Sequence, residues 1–177
     1  MPYAVVLYFD DASTKQLTAA WQRQAEKGIS TFMLDEGYRP HITLGGCEGL
    51  DMASCGEALE RFSAGTEPFS VEMSYLGIFP HDKGAVFLGV AVTDTLLAYH
   101  KSFHEVFAAH GKAPLDVFAP GRWVPHCSLA YHESREKDMS ALEINFDLPL
   151  PIMATCTSLA VIEFPPWNER LVLPLGG

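Results

Sequence analysis

Apolar residues along this chain alternate between two rhythms. Residues 3–9, Tyr-Ala-Val-Val-Leu-Tyr-Phe, form a continuous β-branched and aromatic run and predict a central strand. Residues 10–27 change to helical spacing. Leu17, Ala20, Trp21 and Ala25 make one apolar stripe, Ser13 or Asp11 stands where a cap is needed, and Gly28 ends the segment. Residues 39–45 read as a strand and 51–62 as a helix with Ala53, Ala58, Leu59 and Phe62 inward. Residues 69–79 read as a strand closed by Pro80 and a turn over 81–84. The cycle then restarts. A strand is expected at 85–92, a helix at 94–110 capped by Asp94, with Leu97, Phe103, Val106 and Phe107 toward the core, and a loop at 112–121. A strand at 125–131, a short helix at 134–142, a strand at 155–164, a Pro165-Pro166 break and a last strand at 170–173 complete it.

The doubling has a fixed offset. A shift of 85 residues, from 41 to 126, places Pro40-His41 on Pro125-His126 and Thr43-Leu44 on Ser128-Leu129. The same shift places Phe79-Pro80 on Phe164-Pro165. One offset that aligns strands on both sides of a helix implies two related lobes, about 1–84 and 85–177, within one domain. Alternating single strands and helices ordinarily imply a parallel sheet. The doubling, and the lack of a Gly-rich phosphate loop, favour two small α+β lobes instead.

The doubled segment also carries the chemistry. Residues 41–44 read His-Ile-Thr-Leu and residues 126–129 read His-Cys-Ser-Leu. A strand puts residues i and i+2 on one face, roughly 7 Å apart. His41 and Thr43 then share a face against Ile42 and Leu44, and His126 and Ser128 share one against Cys127 and Leu129. A single such histidine is most often a hydrogen-bonded structural residue. Two facing copies bring two imidazoles and two hydroxyls to one cleft, a set suited to acid–base work on a phosphate with no metal.

Charge narrows the partner. The 177 residues carry 12 Lys+Arg against 22 Asp+Glu, for a formal charge of −10 and no basic cluster. A long nucleic-acid duplex is a poor partner for such a surface. A small phosphate ester, or the end of an RNA, needs only a few local donors. No apolar run reaches the length of about 18–20 residues that spans a bilayer, and the first residues lack a basic leader and read as a strand. A cytoplasmic monomer without membrane contact is expected. Cys47, Cys55, Cys127 and Cys156 form no C-x-x-C pair and are expected to be reduced structural thiols.

At these residues the chain resembles the 2H phosphoesterase superfamily, which includes 2′-5′ RNA ligase-like proteins and cyclic nucleotide phosphodiesterases. Its mark is a pair of H-x-[ST]-hydrophobic motifs, and both are intact here. Residues 120–125, Pro-Gly-Arg-Trp-Val-Pro, also resemble the approach to the second motif in bacterial members. The resemblance implies an α+β fold of two pseudo-symmetric lobes, each an antiparallel sheet with outer helices, around a central cleft. It implies hydrolysis of 2′,3′-cyclic phosphodiesters of nucleotides or RNA ends, without cofactor. A 2′-5′ RNA ligase or RNA-end enzyme is the alternative, and a non-catalytic nucleotide binder the third reading. His41 and His126 would be the acid and the base, in an order left open. Thr43 and Ser128 would hold the non-bridging oxygens.

Other residues are weaker candidates for substrate contact. Arg39 shares strand parity with His41 and Arg122 precedes the second motif, so either guanidinium could meet a phosphate. Tyr38, Trp123 and Tyr131 flank the motifs and could stack on a base. His132 shares parity with His126 but lies about 20 Å along the strand. His81, His100, His104 and His110 lack a partner in the repeat. His100 and His104 have the i,i+4 spacing of a metal pair, but no H-E-x-x-H frame surrounds them, and no metal is expected. Gly45-Gly46 after the first motif suggests a turn or a close backbone approach.

Overall fold

In a computed structural model, described for residues 2–81, 84–131 and 133–177, the chain repeats one five-element unit twice. The first unit is β1 (Tyr3–Phe9), α1 (Asp11–Glu26), β2 (His41–Leu50), α3 (Met52–Ala64) and β3 (Phe69–Ile78), with a short α2 (Phe32–Asp35) ahead of β2. The second is β4 (Ala85–Val90), α4 (Asp94–Phe107), β6 (His126–Tyr131), α5 (Arg135–Asn145) and β7 (Ile152–Glu163). A short β5 (Gly111–Pro114) and a single 3-10 turn (Asp116–Phe118) precede β6, and β8 (Asn168–Pro174) ends the chain. His132, set outside the chemistry by its strand distance, lies outside the described residues.

All strands join one eight-stranded sheet in the order β5-β2-β1-β7-β3-β4-β6, with β8 on β7. Every pairing is antiparallel. Exchanging β1 with β4, β2 with β6 and β7 with β3 reverses the central six strands onto themselves. A pseudo-two-fold axis therefore runs between β7 and β3. The two halves of the sequence interleave in the sheet, because β7 crosses to pair with β1 and β3 pairs with β4. Each motif strand has one equivalent inner neighbour, β1 for β2 and β4 for β6.

One face of the sheet holds the main core. Val5, Leu7, Phe9, Ile42, Leu44, Leu88, Leu129 and Leu159 pack there against Leu17 and Trp21 of α1 and Leu96 and Phe103 of α4. The inward residue of α4 is Leu96, in one stripe with Tyr99, His100, Phe103 and Phe107, and Leu97 falls off that stripe and is exposed; the cap is Thr93 in place of Asp94. On α1 the cap is Asp10: its Oδ1 accepts from the Ser13 amide at 2.9 Å, in place of the Ser13 or Asp11 expected. Gly28 takes φ of 66° and ends the helix. β2 runs past residue 45 because β5 pairs with Cys47–Leu50, and most of the expected 112–121 loop is structured for that reason. The opposite face of β1 and β7 carries a smaller cluster, Ala4, Val6, Tyr8, Ala160 and Ile162, covered by Phe164 and Trp167. All four cysteines are free and buried. Among the described residues, no helix is long and apolar enough to cross a membrane.

Candidate active site

The strand alternation sorts each motif as its residues require. Ile42, Leu44, Cys127 and Leu129 are buried in the main core. His41, Thr43, His126 and Ser128 point to the other face and line one cavity of about 370 Å³. Phe79, His81, Val117, Phe118, Arg122 and Tyr131 form most of the rest of its wall.

A β-bulge sits at the fourth residue of both motifs. On β2 the register passes from Val6↔Thr43 to Val5↔Gly45, skipping Leu44. On β6 it passes from Phe87↔Ser128 to Val86↔Ala130, skipping Leu129. A bulge bends its strand and re-aims nearby side chains, and is common beside active sites. Here it occurs at equivalent positions on both sides of the axis.

Both imidazoles are held the same way. His41 Nδ1 lies 2.7 Å from the carbonyl of Arg39, and His126 Nδ1 lies 2.7 Å from the carbonyl of Val124. A carbonyl only accepts, so each Nδ1 carries a proton. The neutral ring then leaves Nε2 with a lone pair, and the protonated ring leaves an Nε2–H. Each ring can give or take a proton at Nε2 alone.

Their surroundings differ. Trp167 packs on His41 with centroids 4.9 Å apart, and Tyr38 packs on Trp167 at 4.2 Å. His126 meets the edges and faces of Phe79 at 5.2 Å and Phe87 at 5.1 Å. Burial pushes the His41 pKa down to about 4, helped by the nearby His126 and opposed by the Arg39 carbonyl. Burial lowers His126 as well, against its Val124 carbonyl. His100 is lowered to about 4 by burial and by His104, and His104 is lowered by burial.

These shifts carry a sign for stability. His41 and His100 stay neutral in the folded state below their ordinary value near 6.5, where the unfolded chain binds a proton. Folding stability is therefore complete above pH 6.5 and falls as pH drops toward 4. Each such histidine adds a slope of about 1.4 kcal/mol per pH unit. Urea midpoints measured from pH 7.5 to 4.5 should fall steadily, and His41→Asn should flatten the curve. A midpoint independent of pH over that range would contradict burial of neutral imidazoles.

The remaining candidates divide. Arg122 and Tyr131 line the cavity. Arg122 stands at its rim in an exposed ion pair with Asp116. Arg39 turns away: its guanidinium lies 4.3 Å from the Tyr8 ring centroid, a cation–π contact on the neighbouring strand. Tyr38 stays behind His41, in an aromatic cluster with Phe32, Tyr131 and Trp167. Trp123 stacks on His100 at 3.8 Å with planes 2° apart and donates Nε1–H to the Thr43 carbonyl at 2.8 Å. Arg39, Tyr38 and Trp123 thus support the motif from outside the cavity wall. His100 and His104 both bring Nε2 to 3.0 Å from the Leu44 carbonyl. Among the described residues, no three His, Cys, Asp or Glu side chains are grouped to hold a metal ion.

The model of the 2′-5′ RNA ligase superfamily matches residues 9–165. The chain belongs to this superfamily, the 2H phosphoesterases. The superfamily comprises phosphoesterases and RNA-ligase-like enzymes. Both of its histidine motifs fall inside the matched span. No curated protein matches the chain. Among solved structures, TT0787 of Thermus thermophilus is 15% identical with a TM-score of 0.62, covering 100% of this chain and 99% of that one. Escherichia coli LigT, complexed with 3′-AMP, is 14% identical with a TM-score of 0.61, covering 100% of both chains. Usb1 of Kluyveromyces marxianus is 14% identical with a TM-score of 0.52, covering 98% of each. At these identities the likeness is one of fold: an α+β chain with a curled antiparallel sheet and outer helices, as the 2H resemblance implied.

Several cavity residues of this 2H chain escaped sequence reasoning. Phe79 was visible only as a repeat anchor, and His81 was set aside for lacking a repeat partner. Val117 and Phe118 fell in what read as a loop. Trp167 reaches His41 from the turn after β7, and nothing in its local sequence signals that contact.

Proposed function

We propose that the chain opens 2′,3′-cyclic phosphodiesters of nucleotides or RNA ends with water, using two histidines and no metal. The observation that carries this reading is the cavity itself: two Nε2 atoms and two hydroxyl residues facing one space, with both Nδ1 atoms tied back to carbonyls. One neutral imidazole takes a proton from water as its oxygen attacks phosphorus. The bond to one ribose oxygen breaks, and the other imidazole, protonated, gives that oxygen its proton. The product is a ribose phosphomonoester with a free neighbouring hydroxyl. Thr43 and Ser128 donate to the non-bridging oxygens, where charge grows.

Burial favours His41 as the base, since its pKa of about 4 keeps it neutral at physiological pH. His126 is then the acid. It is less buried than His41 and lies against the Phe79 and Phe87 rings. LigT is complexed with 3′-AMP, and Usb1 has been solved with uridine monophosphate. Small nucleotides bound to proteins of this fold support a small ligand here. The cavity volume and the charge of −10 favour that over long RNA.

Turnover of the four 2′,3′-cyclic nucleotides and of a short RNA with a cyclic phosphate end, in excess EDTA, tests the reading. Hydrolysis is expected, and none on any of these would sink it. The pH dependence gives a second check. In the free protein His126 lies below 6.5, so kcat/KM should fall as pH rises through values below 6.5. A bound phosphate anion stabilises the imidazolium, so the same limb in kcat should lie at higher pH. Coincident alkaline limbs above pH 7 would contradict His126 as the acid.

A further inference from the structure

Each motif strand takes side-chain donors on the carbonyls of its third and fourth residues. On β2, Trp123 Nε1 donates to Thr43 O at 2.8 Å, and Leu44 O lies 3.0 Å from Nε2 of both His100 and His104. On β6, Trp21 Nε1 donates to Ser128 O at 3.2 Å, and Gln24 Nε2 donates to Leu129 O at 3.0 Å. The four carbonyls are equivalent across the pseudo-two-fold axis, and they are the bulge residues and the hydroxyl residues before them. The donors to the two fourth-residue carbonyls come from equivalent helices, but the two indoles come from different places. Trp21 and Gln24 stand on α1, whereas Trp123 stands in the loop before β6 and His100 and His104 on α4. The indole contact is thus built twice from different parts of the sequence.

A bulge disrupts the ladder and leaves its residues without the pairing that fixes a regular strand. Thr43 and Ser128 keep their partners Val6 and Phe87, but the peptide that follows each enters the bulge, and its carbonyl takes the indole N–H. An indole is rigid, with one N–H in a fixed direction. Trp123 is held in turn by its stack on His100. Trp21 is 3% exposed and cannot swing away.

We infer that Trp123 and Trp21 are a pair of positioning residues, each fixing through one indole N–H the hydroxyl residue of one motif. Trp123 acts through Thr43 and Trp21 through Ser128. Neither touches the reacting atoms. The inference rests on the proposed role of the two hydroxyls toward phosphate.

A double-mutant cycle tests it. Trp123→Phe is made in wild-type, Thr43→Ala and Ser128→Ala backgrounds, and kcat on a 2′,3′-cyclic nucleotide is measured. A fall of about tenfold is expected in the wild-type and Ser128→Ala backgrounds, and less than about twofold where Thr43 is already alanine. Trp21→Phe should give the mirror result, vanishing only in Ser128→Ala. A structural role would lower kcat alike in every background, and equal falls overturn the inference. Should Trp21→Phe fail to fold, the Trp123 arm decides. There, 3-benzothienylalanine at position 123 removes the N–H while keeping the ring and its stack, and should reproduce the loss. Calorimetric binding of 3′-AMP to the same variants separates this inference from the hydrolase reading. Absent turnover with motif-specific coupling in 3′-AMP affinity defeats the hydrolase and leaves the positioning pair. Turnover without coupling does the reverse. Neither turnover nor 3′-AMP binding defeats both.

Discussion

Alanine at either His41 or His126 is expected to lower kcat/KM for a 2′,3′-cyclic nucleotide by about 10²–10⁴-fold. Ring opening needs two proton transfers on opposite sides of phosphorus, and each imidazole presents a single nitrogen, Nε2, to the cavity. Water can replace one lost partner only with a weaker acid or base held in no fixed place. The losses should not add. Once one transfer is gone the other histidine has little left to assist, so the double variant should be close to the worse single one. His41 is 7% exposed and sits between Trp167 and the Arg39 carbonyl, so its removal also leaves a hole. His41→Asn fills part of that hole and should recover stability without recovering turnover. Full activity in purified His126→Ala would defeat two-histidine chemistry outright.

Period and turn residues carried most of the fold. The unbroken β-branched run of residues 3–9, the Gly28 stop and the Pro40 and Pro125 entries are local signals, and local physics reads them directly. The motif residues were legible for the same reason: period 2 assigns a face without any knowledge of the partner strand. What escaped depends on distant partners. β5 and α2 are four residues each, too short for a period to show. The bulges at Leu44 and Leu129 are invisible because an apolar residue at that place fits a regular strand equally well. Arg39 keeps the strand parity expected of it, yet Tyr8 on the next strand draws its guanidinium aside. His100 and His104 have metal spacing, but a bulged carbonyl takes their nitrogens. In each case the deciding contact lies across the sheet or on a helix far away in sequence, where pattern has no reach.

The same pseudo-symmetry that pairs the motifs also makes the two sides unequal. The turn after β7 brings Trp167 down on His41, while the equivalent place after β3 gives Phe79 and His81 to the cavity wall. His41 is the more buried of the two, under an indole, and His126 lies against two phenyl rings. That asymmetry gives the cleft a direction, which two identical lobes would lack, and an asymmetric substrate needs one.

Loss of a motif hydroxyl should cost less than loss of a motif histidine. Thr43→Ala or Ser128→Ala is expected to lower kcat by about 10²–10³, as for other donors aimed at developing charge. KM should move less than kcat, because the donated bond strengthens as negative charge grows on the phosphoryl oxygens. Thr43→Ser keeps the donor and should retain most activity, whereas Thr43→Val keeps the volume and should not. The two hydroxyls approach from opposite sides of the pseudo-two-fold axis, so each should serve its own non-bridging oxygen. Cyclic phosphorothioates separate them, since sulfur accepts hydrogen bonds poorly and occupies one oxygen position in each diastereomer. Thr43→Ala should erase the penalty for one diastereomer and Ser128→Ala the penalty for the other. If both variants erased the same penalty, the hydroxyls would share one oxygen, and the symmetric grip on phosphate would be wrong.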